Sequence, residues 1–320
     1  MKTVLVTDYA WPDLAIEKGV LEPAGFRVVS GPSAPASRET IERLVREYQP
    51  AAIMTCWAPV SSAAIAASPS LAIVARLGVG LDNIAVEEAT RRGVWVTNVP
   101  DYCVEEVSDH AVGMLLAWAR GLVHFDRATK RGEWQPATAR LRRVSTLTCG
   151  LIGYGRIGRR TAQKLAGFGV RLLAHVAHPR PRDEVVEFVG LEELLRRSDA
   201  IVVHAPLTAD THHLLNRERL ALVKPGAFLI NVSRGAIVDT QALIEALDRG
   251  QLCGAALDVL EQEPADPMLA AREDLSITPH VAFSSDASLA ELRRRASEEV
   301  VRVLRGERPL EARNAPEIPR

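Results

Sequence analysis

The sequence predicts an α/β protein of two parallel-sheet domains, and three observations carry that expectation. Short apolar runs of strand length alternate with helical patterns along the whole 320-residue chain, as βαβ units feeding a parallel sheet require. A glycine fingerprint, Gly153-Tyr154-Gly155-Arg156-Ile157-Gly158, directly follows one such run and precedes a helical pattern. At roughly 100 to 200 residues per domain the length calls for two domains, and 47 % apolar residues suffice for two cores. Both domains are expected to be Rossmann/flavodoxin-like.

In the first hundred residues, strands are expected at 4–8, 26–30, 51–55, 73–77 and 94–98, with helices between them. The clearest helix starts after Ser37, which can cap it, with Glu39 in the first turn. Pro100 forces its predecessor into extended backbone and closes this first unit. Residues 104–120 then read as a long helix, with Val107, Ala111, Met114, Leu115 and Trp118 at helical spacing. Leu116, Ala117 and Leu122 widen its apolar surface beyond one stripe, which fits packing on the second domain together with a homodimer face.

Further strands are expected at 147–152, 170–176, 200–204, 228–232, 254–258 and 276–278. A last amphipathic helix over 287–305 returns to the first domain. The expected domains are therefore 1–100 plus 285–320, and 101–284. Ligands of open α/β sheets bind beyond the strand C-termini, so the active site is expected in the interdomain cleft.

Composition excludes several classes. A net charge of −1 leaves no electrostatic footprint for nucleic acid or a membrane surface. Cys56, Cys103, Cys149 and Cys253 lie far apart with no metal-ligand spacing, so reduced thiols and no metal are expected. The N-terminal run is too short for a signal peptide, and no apolar run reaches bilayer length. A cytoplasmic protein is the expectation.

The fingerprint has a physical reading. One glycine serves the tight turn, one lets backbone N–H groups approach a pyrophosphate, and one permits close helix–strand packing. A free ribose 2′-hydroxyl is usually held by an Asp or Glu about 20 residues further on. Here Val176 stands at that place, and no acid occurs from Gly150 to Arg182. His178, Arg180 and Arg182 cluster just past the strand. Cationic groups there can grip a 2′-phosphate, which favours NADP(H). The alternative is a solvated basic loop, with NAD(H) held through other contacts.

Three segments end expected strands of the second domain and carry charge that a core would not take: Asn231-Val232-Ser233-Arg234-Gly235, Leu257-Asp258-Val259-Leu260-Glu261-Gln262-Glu263-Pro264 and Thr278-Pro279-His280. These resemble the D-isomer-specific 2-hydroxyacid dehydrogenases, which carry an Arg in an SRG turn, a Glu before Pro after an LDV strand, and a His in a PH turn. Gly78-Val79-Gly80-Leu81-Asp82-Asn83 and Thr97-Asn98-Val99-Pro100 extend the resemblance over nearly the whole chain. It implies hydride transfer between a nicotinamide cofactor and a 2-keto acid, with Arg234, Glu263 and His280 as catalytic residues.

Residue chemistry agrees with these roles. Arg234 offers a planar fork of donors that suits a bidentate carboxylate. His280 has the imidazole needed for acid/base work near neutral pH. Glu263 would orient the ring and favour its protonated form. The Gly78-Val79-Gly80 loop would add backbone N–H groups to the substrate carboxylate. The resemblance also places His204, Pro206, Thr211, Val232 and Ser233 beside the cofactor. Asp258 either contacts the nicotinamide carboxamide or caps the next segment. Taken singly, His110, His175 and His204 read as ordinary surface or core histidines, and Arg293-Arg294-Arg295 reads as a solvated helix face.

The Pro100–His110 stretch and Pro279-His280-Val281-Ala282-Phe283-Ser284 look most like the C-terminal-binding-protein branch of the family. Phe283, close behind the histidine, implies one apolar wall to the substrate pocket. That branch includes dinucleotide-sensing corepressors, so an interaction protein is the alternative to a 2-keto acid reductase. The related phosphite dehydrogenases carry a Lys where Val79 stands, which argues against phosphite. A 2-keto acid bearing a phosphate or phosphonate stays open, because Arg140, Arg142 and Arg143 are unassigned and a solvated loop explains them equally.

Overall fold

The computed structural model describes residues 1–9, 11–178 and 181–316, which divide into two compact units. One comprises Met1–Tyr102 and the segment from Ser285 onward, the other Cys103–Ser284. Arg180 lies outside the described residues.

The first unit is built on five strands, β1 (Thr3–Val6), β2 (Arg27–Ser30), β3 (Ala52–Thr55), β4 (Ile73–Arg76) and β5 (Trp95–Thr97), in the order β2-β1-β3-β4-β5. Every pairing is parallel. β3 and β4 are buried along their whole length, because helices cover both faces of a parallel sheet and leave no polar side. Ile41, Leu44 and Val45 of the helix Arg38–Tyr48 pack on one face with Leu5, Ile53 and Val74. Ser37 caps that helix by accepting from the Thr40 N–H at 3.3 Å.

The closing helix, Asp286–Leu304, belongs to this first unit. Its arginine run corrects the expectation of a solvated face. Arg293 is 7 % exposed, and its guanidinium donates to both carboxylate oxygens of fully buried Glu17, at 2.8 and 2.7 Å. It also lies over the Trp11 ring, 5.1 Å from the centroid. Of the three arginines only Arg294 is solvated, in an i,i+4 pair with Glu298; Arg295 pairs with Glu291 and Asp101. A charge pattern along one helix cannot reveal an acid 276 residues away in sequence.

The second unit holds seven parallel strands: β6 (Thr148–Ile152), β7 (Arg171–His175), β8 (Glu187–Phe188), β9 (Ala200–Val203), β10 (Ala227–Asn231), β11 (Leu252–Leu257) and β12 (Leu275–Ile277). Their order is β12-β11-β10-β9-β6-β7-β8, so the chain reverses direction across the sheet between β6 and β9. Two-residue β8 was not expected, being too short for a pattern. Ile201, Val203, Leu229 and Ala255 form the centre of its core. The helix Val104–Ala119 packs on Arg156–Ala166, tied by Glu105 to Arg160 and Lys164 and by Asp109 to Lys164.

The fold class is thus as expected: two α/β units, each with a parallel sheet. Among the described residues no helix is long and apolar enough to cross a membrane.

Candidate active site

The fingerprint forms a strand, a turn and a helix start. β6 ends at Ile152, and the helix Arg156–Ala166 has Gly155 at its N-cap. Gly153 has φ +99°, and a Cβ there would lie 2.6 Å from the Ala205 amide nitrogen. A Cβ on Gly158 would collide with the Gly153 carbonyl oxygen. Gly155 instead faces open space, with none of the described residues within 4 Å of an added Cβ. Among the described residues no side chain caps this helix, and its first turn holds no acid. Its uncapped N–H groups and the positive end of its dipole therefore face that opening, a setting that fits a dinucleotide pyrophosphate.

Around the turn, side chains divide by role. Tyr154 is 2 % exposed, edge-on to Phe188 with centroids 5.4 Å apart and beneath the Arg159 guanidinium, so only its backbone borders the opening. Arg156 and Ile157 open the helix. Val176 is half-buried just past β7, while His178 and Arg182 are exposed. His204 begins the segment after β9, and its Nε2 is buried with no hydrogen-bond partner among the described residues. Burial pushes its imidazole down to about 3, so the ring is neutral at pH 7. Thr211 closes its own loop, donating to the Pro206 carbonyl at 2.6 Å and accepting from the Thr208 N–H at 2.7 Å.

Arg234 sits on a turn that Asn231 clamps from both sides. The buried Asn231 side chain donates to the Arg234 carbonyl at 2.9 Å and accepts from the Ser233 N–H at 3.1 Å. Ser233 donates in turn to the Ala205 carbonyl, and Val232 is buried beneath. A Cβ on Gly235 would strike the Leu260 backbone. Glycine there brings the Arg234 turn against the segment that carries Glu263. The Asn before the turn was the available signal, since an Asx side chain bonds backbone two residues on.

His280 has φ +54°, unusual for a residue with a Cβ. Its N–H donates to the Asp258 carbonyl at 2.8 Å. The buried Asp258 carboxylate holds the rest of the turn, with Oδ1 accepting from Thr278 Oγ1 at 2.6 Å and the Val281 N–H at 2.9 Å, and Oδ2 from the Ala282 N–H at 2.9 Å. His110 joins this network through Thr278, 3.1 Å from Nε2 to Oγ1. No sequence pattern linked His110 to the turn, because it lies 168 residues before Thr278 in the chain.

The turns deliver one constellation. His280 Nδ1 lies 3.1 Å from Glu263 Oε2, while Glu263 Oε1 accepts from the Leu260 N–H at 3.1 Å. Burial pushes the Glu263 carboxyl up, but the His280 hydrogen bond and charge, the Leu260 N–H and the Arg234 charge outweigh it and hold it below its ordinary value. The Arg234 guanidinium therefore lies near enough for its charge to act on the Glu263 carboxylate. The Phe283 ring stands edge-on to His280, with centroids 6.3 Å apart and planes at 78°. Such an arrangement can bind an anion, hold a proton on one imidazole nitrogen and present the other to a ligand.

The Gly78-Val79-Gly80 loop belongs to the first unit. Asn98 holds it by donating to the Val79 carbonyl, and the Val99 N–H donates to the Gly78 carbonyl at 3.1 Å. In the second unit, Arg142 lies over the Trp118 ring, 4.9 Å from the centroid, whereas Arg140 is exposed.

Residues 112–282 match the family of the D-isomer specific 2-hydroxyacid dehydrogenase NAD binding domain. A glyoxylate reductase of Thermofilum pendens is 36 % identical over 285 residues, 86 % of this chain and 84 % of that protein. The glyoxylate reductase of Thermococcus kodakarensis is 40 % identical over 270 residues, 80 % of each chain. Among solved structures, a Thermus thermophilus protein superposes with a TM-score of 0.88 at 33 % identity, covering 97 % of this chain and 99 % of that one. A D-lactate dehydrogenase of Aquifex aeolicus, solved with NAD and lactic acid, gives 0.85 at 28 % identity over 95 % and 96 %.

Proposed function

The chain belongs to the D-isomer-specific 2-hydroxyacid dehydrogenases, and on that basis we propose a 2-keto acid reductase that prefers NADPH. Oxidoreduction between a 2-keto and a 2-hydroxy acid with a nicotinamide cofactor is the activity of the family. The observation that carries the mechanism is the His280–Glu263 hydrogen bond beside the Arg234 charge.

In this reading the guanidinium of Arg234 binds the substrate carboxylate and polarises the keto oxygen. Glu263 holds the Nδ1 proton of His280 and so fixes Nε2 as the nitrogen that faces the substrate. His280 gives the proton on Nε2 to the oxygen as it becomes an alkoxide, and takes one back in the reverse direction. The nicotinamide supplies the hydride when the dinucleotide is bound. Asp258 fixes the turn that aims His280 and is assigned a contact with the carboxamide. The Gly78-Val79-Gly80 loop is assigned backbone N–H donors for substrate, and Phe283 an apolar wall.

The glycine turn and the uncapped N-terminus of Arg156–Ala166 would hold the pyrophosphate. His204, Pro206, Thr211, Val232 and Ser233 line the rest of the cofactor site in this proposal. Preference for NADPH rests on Val176 and on the basic residues His178, Arg180 and Arg182 beyond it. We assign residues 101–284 to the dinucleotide and residues 1–100 with 285–320 to substrate. Glyoxylate is the first substrate to try, since the two curated relatives above are glyoxylate reductases. A homodimer through the cofactor unit and a cytoplasmic setting complete the reading. The dimer rests on the apolar residues beyond the packed stripe of the helix Val104–Ala119, Leu116 and Ala117, and on exposed Leu122 after it.

The test is oxidation of NADPH and NADH, side by side, across glyoxylate, hydroxypyruvate, phenylpyruvate and phosphonopyruvate. Faster turnover with NADPH on any of these acids is expected. Dinucleotide binding with no turnover on any of them would overturn the reductase.

A further inference from the structure

Outside the constellation described above, His212, His213 and Glu261 bring two imidazole nitrogens and a carboxylate oxygen within 4.8 Å of one another. We propose that these three side chains form a binding site for a borderline divalent transition ion, of which Zn²⁺ is the type. The site rests on groups that the proposed reaction does not use.

The donor set is chemically apt. Two imidazoles and one carboxylate are the ligands that Zn²⁺, Co²⁺ and Ni²⁺ accept, and they leave a fourth position for water. Mg²⁺ and Ca²⁺ require mostly oxygen and do not fit. The adjacent rings of His212 and His213 stack with centroids 4.0 Å apart and planes at 29°, so the exposed His212 ring would turn out of the stack to bring both nitrogens onto one ion. His213 Nε2 already lies 2.6 Å from Glu261 Oε1. That hydrogen bond holds one proton, which the ion would displace.

The ligands are also held from behind. Glu261 Oε2 accepts from Thr240 Oγ1 at 2.8 Å and from the Thr240 N–H at 3.2 Å. Outer hydrogen bonds of this kind orient a ligating carboxylate. His213 is pinned in left-handed backbone, φ +48°, with its N–H on the Ala236 carbonyl at 2.8 Å. The His212 N–H donates to the Thr208 carbonyl at 3.0 Å. An ion here would staple the loop after β9 to the segment after β11.

The test uses the whole protein and the metal alone. Titration with Co²⁺ should saturate at one ion per chain, with visible ligand-field absorption and no thiolate charge-transfer band. Zn²⁺ should raise the thermal midpoint in a concentration-dependent way, by mass action on the folded state. His212→Ala, at an exposed position, should abolish both effects, and Thr240→Val should weaken binding about tenfold or more. Equal binding by wild type and His212→Ala would overturn the site. So would a thiolate band, which would move the ion to exposed Cys253.

Discussion

His280 Nδ1 and Glu263 Oε2 stand 3.1 Å apart, 17 residues from each other along the chain. The contact exists because Asp258 holds the histidine turn from one side and the Leu260 N–H holds the carboxylate from the other. Neither group sets its own position.

Removing the proton donor and removing its orienting partner should therefore differ. His280→Ala is expected to lower kcat by about 10²-fold or more with dinucleotide affinity unchanged. Glu263→Gln keeps the shape but not the charge, so the imidazole stays oriented and the loss of kcat should be smaller than in His280→Ala. Steady-state kinetics from pH 5 to 9 with fluorescence titration of NADPH measure both. An unaffected rate in His280→Ala would remove the mechanism.

Cofactor preference is tested on the basic segment past β7. Arg180→Ala combined with Arg182→Ala should weaken NADPH by about tenfold or more, the worth of a lost charge-assisted hydrogen bond. NADH should change little. Equal losses for both dinucleotides would mean that the segment does not read the 2′-phosphate.

Arg293 offers a stability test remote from these groups. Arg293→Ala leaves Glu17 fully buried without its cation, which should cost about 3–5 kcal/mol in urea unfolding. Arg294→Ala, its solvated neighbour, should stay within about 0.5 kcal/mol of the parent.

His204 sets an acid-side limit. Its folded-state value is depressed to about 3 by burial, whereas the unfolded chain titrates near about 6.5. Between those values the unfolded state binds a proton that the folded state refuses. Stability contributed by the neutral ring is therefore present above about pH 6.5 and is lost as pH falls toward about 3, by at most about 1.4 kcal/mol per unit. Histidine NMR should show one imidazole that stays neutral at pH 5, and His204→Asn should remove that resonance and flatten the acid limb.

Eleven of the twelve strands, the fold class and the glycine turn were legible in the letters, because hydrophobic period and glycine spacing are local properties. The three charged strand ends were legible too, as motifs. Asn231 clamping Arg234 is likewise local, two and three residues along the chain. Asp258 gathering the His280 turn with His110, and Gly235 meeting Leu260, were not legible, because they depend on neighbours that the order β12-β11-β10-β9 creates.

The same distinction governs the charges. Composition and order specified which residues could ionise, ligate or bond; Arg293, His204 and the His212-His213-Glu261 cluster acquired their character only on folding. The physical reason is that burial and pairing are set by whatever packs across from a side chain. Sequence records the periodicity of one segment, and the energy of a buried charge depends on two.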